Sequence, residues 1–187
     1  MGENGVCGEV HTGGPGGRYA GPMIRTAILT VSDKGAAGGR DDTTVQEVRA
    51  LLQGGFTEVA YEVVPDEPER VRARLMAWSD AGEADLIVTT GGTGLAPRDR
   101  TPEATRAVVD FEVPGLAEVM RAEGVKKNPK AALSRGLVGV RGGTLVVNLP
   151  GSPKGAKESL EAIIGVLPHA LDTLRAEKRE APEDWHQ

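Results

Sequence analysis

Short apolar runs alternate with stretches of helical spacing along most of this chain. Ala27-Ile28-Leu29-Thr30-Val31 favours a β-strand and ends at Ser32-Asp33 and a glycine-rich loop. From Thr44 to Leu52 the apolar positions Val45, Val48, Leu51 and Leu52 recur at helical intervals, until Gly54-Gly55 stops them. Val59 to Val64 predicts a second strand, ended by Pro65-Asp66. Pro68 fits the first turn of a helix carrying Val71, Leu75 and Trp78. Leu86-Ile87-Val88-Thr89 predicts a third strand, buried on both faces, that runs into Thr90-Gly91-Gly92-Thr93-Gly94.

The same alternation continues. Thr101-Pro102 predicts a helix cap followed by proline at the first helical position. Val113-Pro114 introduces a helix with Leu116, Val119 and Met120. Leu137 to Arg141 and Thr144 to Leu149 predict two strands around Gly142-Gly143. Ser152 with Pro153 begins a last helix with the stripe Leu160, Ile163, Ile164, Leu167, Leu171 and Leu174. Pro168 lies inside that stripe and predicts a kink or a split. Strands alternating with helices predict an α/β protein, a three-layer sandwich with a mainly parallel sheet between helices. The Gly142-Gly143 connection is too short for a crossover, so one antiparallel strand is expected at the edge.

Composition narrows the picture. The chain has 187 residues, enough for one domain with a sizeable core. Residues 1–22 are rich in glycine and read as a disordered tail, 23–177 as the folded domain, and 178–187 as a polar tail. The net charge is −5 with only two Trp, two Tyr and two Phe, which argues against a nucleic-acid surface. Cys7 stands alone, and His11, His169 and His186 are far apart, so no internal disulfide and no histidine zinc site are expected. No apolar run is long enough to span a membrane, and the first residues do not resemble a signal peptide. A cytoplasmic location is the expectation.

Ligands of open α/β sheets bind beyond the carboxyl ends of the strands. Four segments fall there: Ser32-Asp33, Pro65-Asp66, Thr90 to Asp99, and Asn148 to Lys154. The glycines of Thr90 to Gly94 remove obstructing Cβ atoms, so backbone N–H groups can face phosphate oxygens. A tight packing turn would look the same. The segment is neither a P-loop nor a dinucleotide fingerprint, since Pro97 stands where the last glycine would be. Asp66 and Asp99 each follow a strand, and carboxylates suit Mg²⁺ that also contacts substrate phosphates. Asp66 could instead cap the following helix, Asp99 could pair with Arg98 or Arg100, and Asp33 could be a turn acid. Asn148-Leu149-Pro150-Gly151-Ser152-Pro153-Lys154 places a helix N-terminus at the sheet end, which suits an anion or an ordinary serine cap. Lys126, Lys127, Lys130 and Arg135 form a basic stretch that could grip an acidic substrate or simply be solvated. H-E-x-x-H, G-x-S-x-G and a Cys-His pair are all absent, which disfavours nucleophilic hydrolysis and leaves metal-assisted phosphoryl or nucleotidyl transfer.

Taken together, six ordered blocks resemble the molybdopterin adenylyltransferases of molybdenum cofactor biosynthesis (MogA/MoaB type, related to the G domains of gephyrin and its plant counterpart). They are Thr30-Val31-Ser32-Asp33, Val64-Pro65-Asp66-Glu67, Thr90 to Gly94 with Pro97 to Thr105, Pro114-Gly115, Ala132-Leu133-Ser134-Arg135, and Asn148 to Lys154. The resemblance covers about Arg25 to Leu174. It implies a Rossmann-related fold, usually trimeric, that uses Mg-ATP to adenylylate molybdopterin and releases pyrophosphate. It implies that Asp66 and Asp99 are the catalytic acids and Mg²⁺ ligands. It further implies substrate contacts from Ser32, Asp33, Thr90, Gly91, Gly92, Thr93, Gly94, Ser134, Asn148, Pro150, Gly151, Ser152 and Lys154. Contact with other enzymes of molybdenum cofactor assembly would follow. The alternatives are a non-catalytic, MoaB-like molybdopterin binder or carrier, and a scaffold.

Overall fold

The computed structural model describes residues 21–38 and 43–180. The tail expected over 1–22 lies outside these except for its last two residues, as do Cys7, His11 and His186. Fourteen elements follow in order, and the longer ones match the strand and helix signals above. They are β1 (Ile24–Val31), α1 (Asp33–Ala36), α2 (Thr43–Leu51), β2 (Phe56–Val64), α3 (Pro68–Asp80) and β3 (Leu86–Thr90). Then come α4 (Thr101–Arg106), β4 (Phe111–Glu112), α5 (Pro114–Lys127), a 3₁₀ turn (Pro129–Leu133), β5 (Val138–Arg141), β6 (Thr144–Leu149), α6 (Pro153–Ile163) and α7 (Leu167–Glu180). The last helix thus continues to Glu180, past the boundary expected after residue 177.

Six strands form one sheet in the order β2-β1-β3-β6-β5-β4. β2, β1, β3 and β6 are parallel, whereas β5 runs antiparallel to both β6 and β4. The antiparallel strand expected at the edge is thus β5, with the two-residue β4 outside it. Side chains of a strand alternate between faces, and here both faces are buried. Ile28, Leu86, Val88, Leu145 and Val147 pack on one side with Val45, Met120, Leu160 and Leu167. Ala27, Leu29, Ile87 and Val146 pack on the other with Val71, Leu75, Trp78 and Ala104. The result is three layers, with α2, α5, α6 and α7 on one face and α3 and α4 on the other. Pro168 has the effect its position predicts: the apolar stripe is divided into α6 and α7, with the proline in the first turn of α7.

The strand order opens a crevice at one place. β1 is followed in sequence by β2 on one side and then by β3 on the other. The helices after β1 and β2 therefore lie on opposite faces; β1 and β3 stay paired as far as Thr30 and Thr90, and the connections leaving them part to opposite faces.

Candidate functional site

The glycine-rich segment lies directly over this crevice. Gly91 and Gly92 have φ of 97° and 63°, a region that disfavours any side chain. A Cβ on Gly91 would meet the Val31 carbonyl oxygen at 2.3 Å, and one on Gly92 would meet Thr101 Oγ1 at 2.2 Å. The chain therefore turns back across the end of β1 at backbone distance. Gly151 closes the other side, where an added Cβ would stand 3.2 Å from Gly91 Cα. Gly91 N–H continues the sheet by donating to Leu149 O at 3.1 Å. Among the described residues, the next three N–H groups, of Gly92, Thr93 and Gly94, have no hydrogen-bond partner. Unsatisfied donors of this kind are suited to an anion.

Two carboxylates stand beside them. Asp66, after β2, exchanges hydrogen bonds with Asp33, after β1: Asp33 N–H donates to Asp66 Oδ2 at 2.9 Å, and Asp66 N–H donates to Asp33 Oδ1 at 3.0 Å. Asp33 is also the ion-pair partner of Arg98 at 2.8 Å, and that hydrogen bond holds its carboxyl below the usual carboxylate range. Asp66 goes the other way: burial pushes its carboxyl up, and the negative charges of Asp33 and Asp99 add to the effect. Asp66 is not a helix cap, since Glu67 holds that position ahead of Pro68. Asp99 Oδ2 accepts from Ala96 N–H at 2.9 Å, and among the described residues its carboxylate has no ion pair. Thr101 is not a cap either: α4 begins at Thr101, Arg100 precedes it, and Thr101 Oγ1 is buried without a partner.

Two cavities flank the glycine segment. One, of about 420 Å³, lies on the β6 side between α5, the 3₁₀ turn and the start of α6. The other, of about 640 Å³, lies on the β1 side between α2 and the ends of β1 and β2. They share three wall residues, Gly92, Asp99 and Gly151. Of the residues singled out in the sequence, Thr93, Gly94, Ser134, Asn148, Pro150, Ser152 and Lys154 line the β6-side cavity. Ser32, Asp66, Thr90 and Gly91 line the β1-side cavity. Asp33 lines neither; its carboxylate is committed to Asp66 and Arg98.

Several side chains are placed differently from a direct substrate contact. The Asn148 amide is buried, and donates to Thr89 Oγ1 and Thr105 Oγ1, each at 3.0 Å. It thereby ties β3, β6 and α4 together. Ser152 does cap α6, accepting from Gly155 N–H at 3.2 Å. Of the lysines in the basic stretch only Lys130 lines a cavity, while Lys126 pairs with Glu123 and Lys127 with Glu161. Arg135 is turned onto the loop from Gly94 to Asp99. The residues missed by sequence reasoning are mostly apolar or small: Ala117, Met120 and Gly124 of α5, with Arg121, line the β6-side cavity. Ala117 and Gly124 are seven positions apart, so one face of α5 is hollowed by small side chains, a signal the sequence did carry. Lys34, Arg49 and Tyr61 line the other cavity. The Arg49 guanidinium lies 4.8 Å from the centre of the Tyr61 ring and pairs with Glu58.

Two cavities thus adjoin at Gly92, Asp99 and Gly151, with unpartnered N–H groups and two acids beside these residues. The ligand atoms these acids offer a cation are all oxygen, and no cluster of three or more metal-binding His, Cys, Asp or Glu occurs among the described residues. Two carboxylates with room for phosphate oxygens and water fit the coordination habits of Mg²⁺. No helix among the described residues is long and apolar enough to cross a membrane.

Residues 27–169 match the family described as "Probable molybdopterin binding domain". The molybdopterin adenylyltransferase of Helicobacter pylori strain J99 is 40% identical over 154 residues, covering 81% of this chain and 88% of that protein. The molybdenum cofactor synthesis protein cinnamon of Drosophila melanogaster is 44% identical over 150 residues, but these are 79% of this chain and only 25% of that longer protein. The crystal structure of the molybdopterin biosynthesis enzyme MoaB from Thermus thermophilus superposes with a TM-score of 0.78 at 62% identity, covering 82% of this chain and 98% of that one.

Proposed function

This chain belongs to the molybdopterin-binding family of molybdenum cofactor biosynthesis, and on that premise we propose that it is a molybdopterin adenylyltransferase. The carrying observation is the wall of Gly92, Asp99 and Gly151 common to two cavities. One substrate would sit on each side, with their phosphates meeting at the wall. An oxygen of the molybdopterin phosphate attacks the α-phosphorus of ATP. The bond from that phosphorus to the bridging oxygen of the β-phosphate breaks, and pyrophosphate leaves with the electron pair. Neither a covalent enzyme intermediate nor a histidine is needed; placement and charge neutralisation carry the reaction.

The N–H groups of Gly92, Thr93 and Gly94 would bind phosphate oxygens, with Thr90 and Thr93 hydroxyls beside them. Ser134, Pro150, Gly151, Ser152 and Lys154 would hold the pterin-phosphate or AMP part, and Ser32 would contact the ligand on the β1 side. Asp66 and Asp99 would hold Mg²⁺, which offsets the repulsion between the carboxylates and the phosphates. Asp33 and Asn148 support this arrangement from behind. Action in the cytoplasm as a homotrimer, in contact with other cofactor-assembly enzymes, belongs to the same proposal and is supported by family resemblance. Light scattering of the purified chain checks the trimer.

The test is pyrophosphate release from molybdopterin and ATP. Turnover that requires Mg²⁺ and is lost in D66A and D99A is the expected result; no release by the unaltered protein sinks the reading. The second reading is a non-catalytic molybdopterin binder or carrier. Tight molybdopterin binding, indifferent to ATP and without turnover, would select it.

A further inference from the structure

The geometry points to Arg135 as the positioning residue that fixes Asp99 at the wall between the two cavities. Every edge of its guanidinium that forms a bond is spent on the loop from Gly94 to Asp99 and the helix that follows it. Nε donates to Gly94 O at 2.7 Å, and a second nitrogen donates to Asp99 O. The third nitrogen pairs with Glu103, in the first turn of α4. The backbone follows suit, as Arg135 N–H donates to Thr93 O at 2.9 Å. The loop from Gly94 to Asp99 is thus pinned at both ends by one side chain.

Within the loop, Ala96 N–H donates to Asp99 Oδ2 and Asp99 N–H donates to Ala96 O, both at 2.9 Å. This closes a small ring that sets the direction of the Asp99 carboxylate. Arg135 holds the ring by main-chain carbonyls. The Asp99 carboxylate is therefore left without an ion pair among the described residues and open to a ligand. A planar fork with several donors is required for three acceptors in three directions; the single ammonium of lysine cannot replace it. Arg135 also follows Ser134, so a lining residue of the β6-side cavity is joined through one side chain to the loop that carries Asp99.

The kinetic arm of the test rests on the adenylyl-transfer reading, and the exchange arm does not. R135A and R135K are compared with the unaltered protein. Both variants are expected to lower kcat about a hundredfold with KM for either substrate changed by less than about twofold, as for a misplaced catalytic group. Hydrogen exchange at the Ala96 and Asp99 amides is expected to quicken by more than about tenfold, while Val146 and Val147 in β6 stay protected. A residue that grips an anionic substrate by charge would behave otherwise: R135K would keep kcat and R135A would raise KM, and that outcome overturns the proposal. So does unchanged exchange in the loop. If the unaltered protein releases no pyrophosphate, the adenylyl-transfer reading fails, and the exchange result alone decides the role of Arg135. Should both Arg135 variants fail to fold, E103Q weakens one of the three anchors and is expected to quicken the same two amides; their unchanged protection there overturns the proposal.

Discussion

Asp33 and Asp66, at the ends of adjacent strands, each give a backbone N–H to the other's carboxylate, at 2.9 and 3.0 Å. Two acids are thereby held together, and the ion pair of Arg98 is with Asp33. Burial and the neighbouring negative charges leave Asp66 with its carboxyl raised.

The first prediction concerns the acid limb of activity. Asp66 must be ionised to hold a cation, so protonation should abolish turnover at a pH above the ordinary carboxylate range. D33N removes a negative charge that raises Asp66, while the amide still offers an acceptor to Asp66 N–H. The acid limb of kcat/KM should move to lower pH. R98A removes a positive charge that lowers Asp66, and the limb should move to higher pH. pH profiles of the two variants check the opposite signs.

The second compares two glycines. Gly54 and Gly91 both have positive φ, but a Cβ on Gly54 meets nothing while one on Gly91 would meet Val31 O at 2.3 Å. G54A should lose about 1 kcal/mol from the left-handed conformation alone, with activity intact. G91A must in addition displace backbone at the crevice, so its loss should be larger and pyrophosphate release should fall below detection. Urea midpoints and a turnover assay separate the two.

A third concerns the buried amide of Asn148. N148A leaves the hydroxyls of Thr89 and Thr105 without their donor and opens a small void, so the fold should lose about 2 kcal/mol. Equilibrium urea unfolding measures it.

The fourth lies at the opposite end of the sheet. Asp85 binds Arg25 at 2.8 Å and Arg175 of α7 at 3.0 Å, with its side chain only 12% exposed. Burial pushes its carboxyl up, but the hydrogen bonds from Arg25 and Arg175 overcome this and hold it below the usual range. A depressed carboxylate contributes stability that is full above the unfolded pKa and is lost as pH falls through the folded one. D85N should therefore cost roughly 2 kcal/mol at neutral pH and flatten the decline of stability on acidification. Unfolding midpoints across the acidic range test both parts.

The strand ends are legible in the sequence because polarity and glycine change abruptly there: Ser32-Asp33 and Thr90 to Gly94 stop buried strands, and Pro65-Asp66 stops the edge strand β2. Proline is equally legible, at Pro68, Pro114, Pro153 and in the split at Pro168. β4 is not, since two exposed residues carry no period. The start of β2 at Phe56 is hidden because an edge strand with exposed positions lacks the apolar run that marks a buried one. Sequence pattern leaves Arg135 open between gripping an acidic substrate and lying solvated, and family resemblance places Asn148 on the ligand; the fold ties both to distant segments. The acceptors of the Asn148 amide N–H and the Arg135 guanidinium lie 32 to 59 positions away, and no local spacing reports such contacts. The acids themselves are marked by their place after a strand, but the exchange of bonds between Asp33 and Asp66 depends on β1 and β2 being neighbours.

Gly92, Asp99 and Gly151 border both cavities, so the two spaces adjoin there. Two bound molecules would meet over these residues with each still held in its own cavity. Neither occupant stands in the other's place, so entry of the first does not bar the second. Catalysis would then pass through a ternary complex, and initial-rate plots at several fixed concentrations of the second substrate would give intersecting lines and not the parallel ones of an enzyme that must release one product before admitting the next.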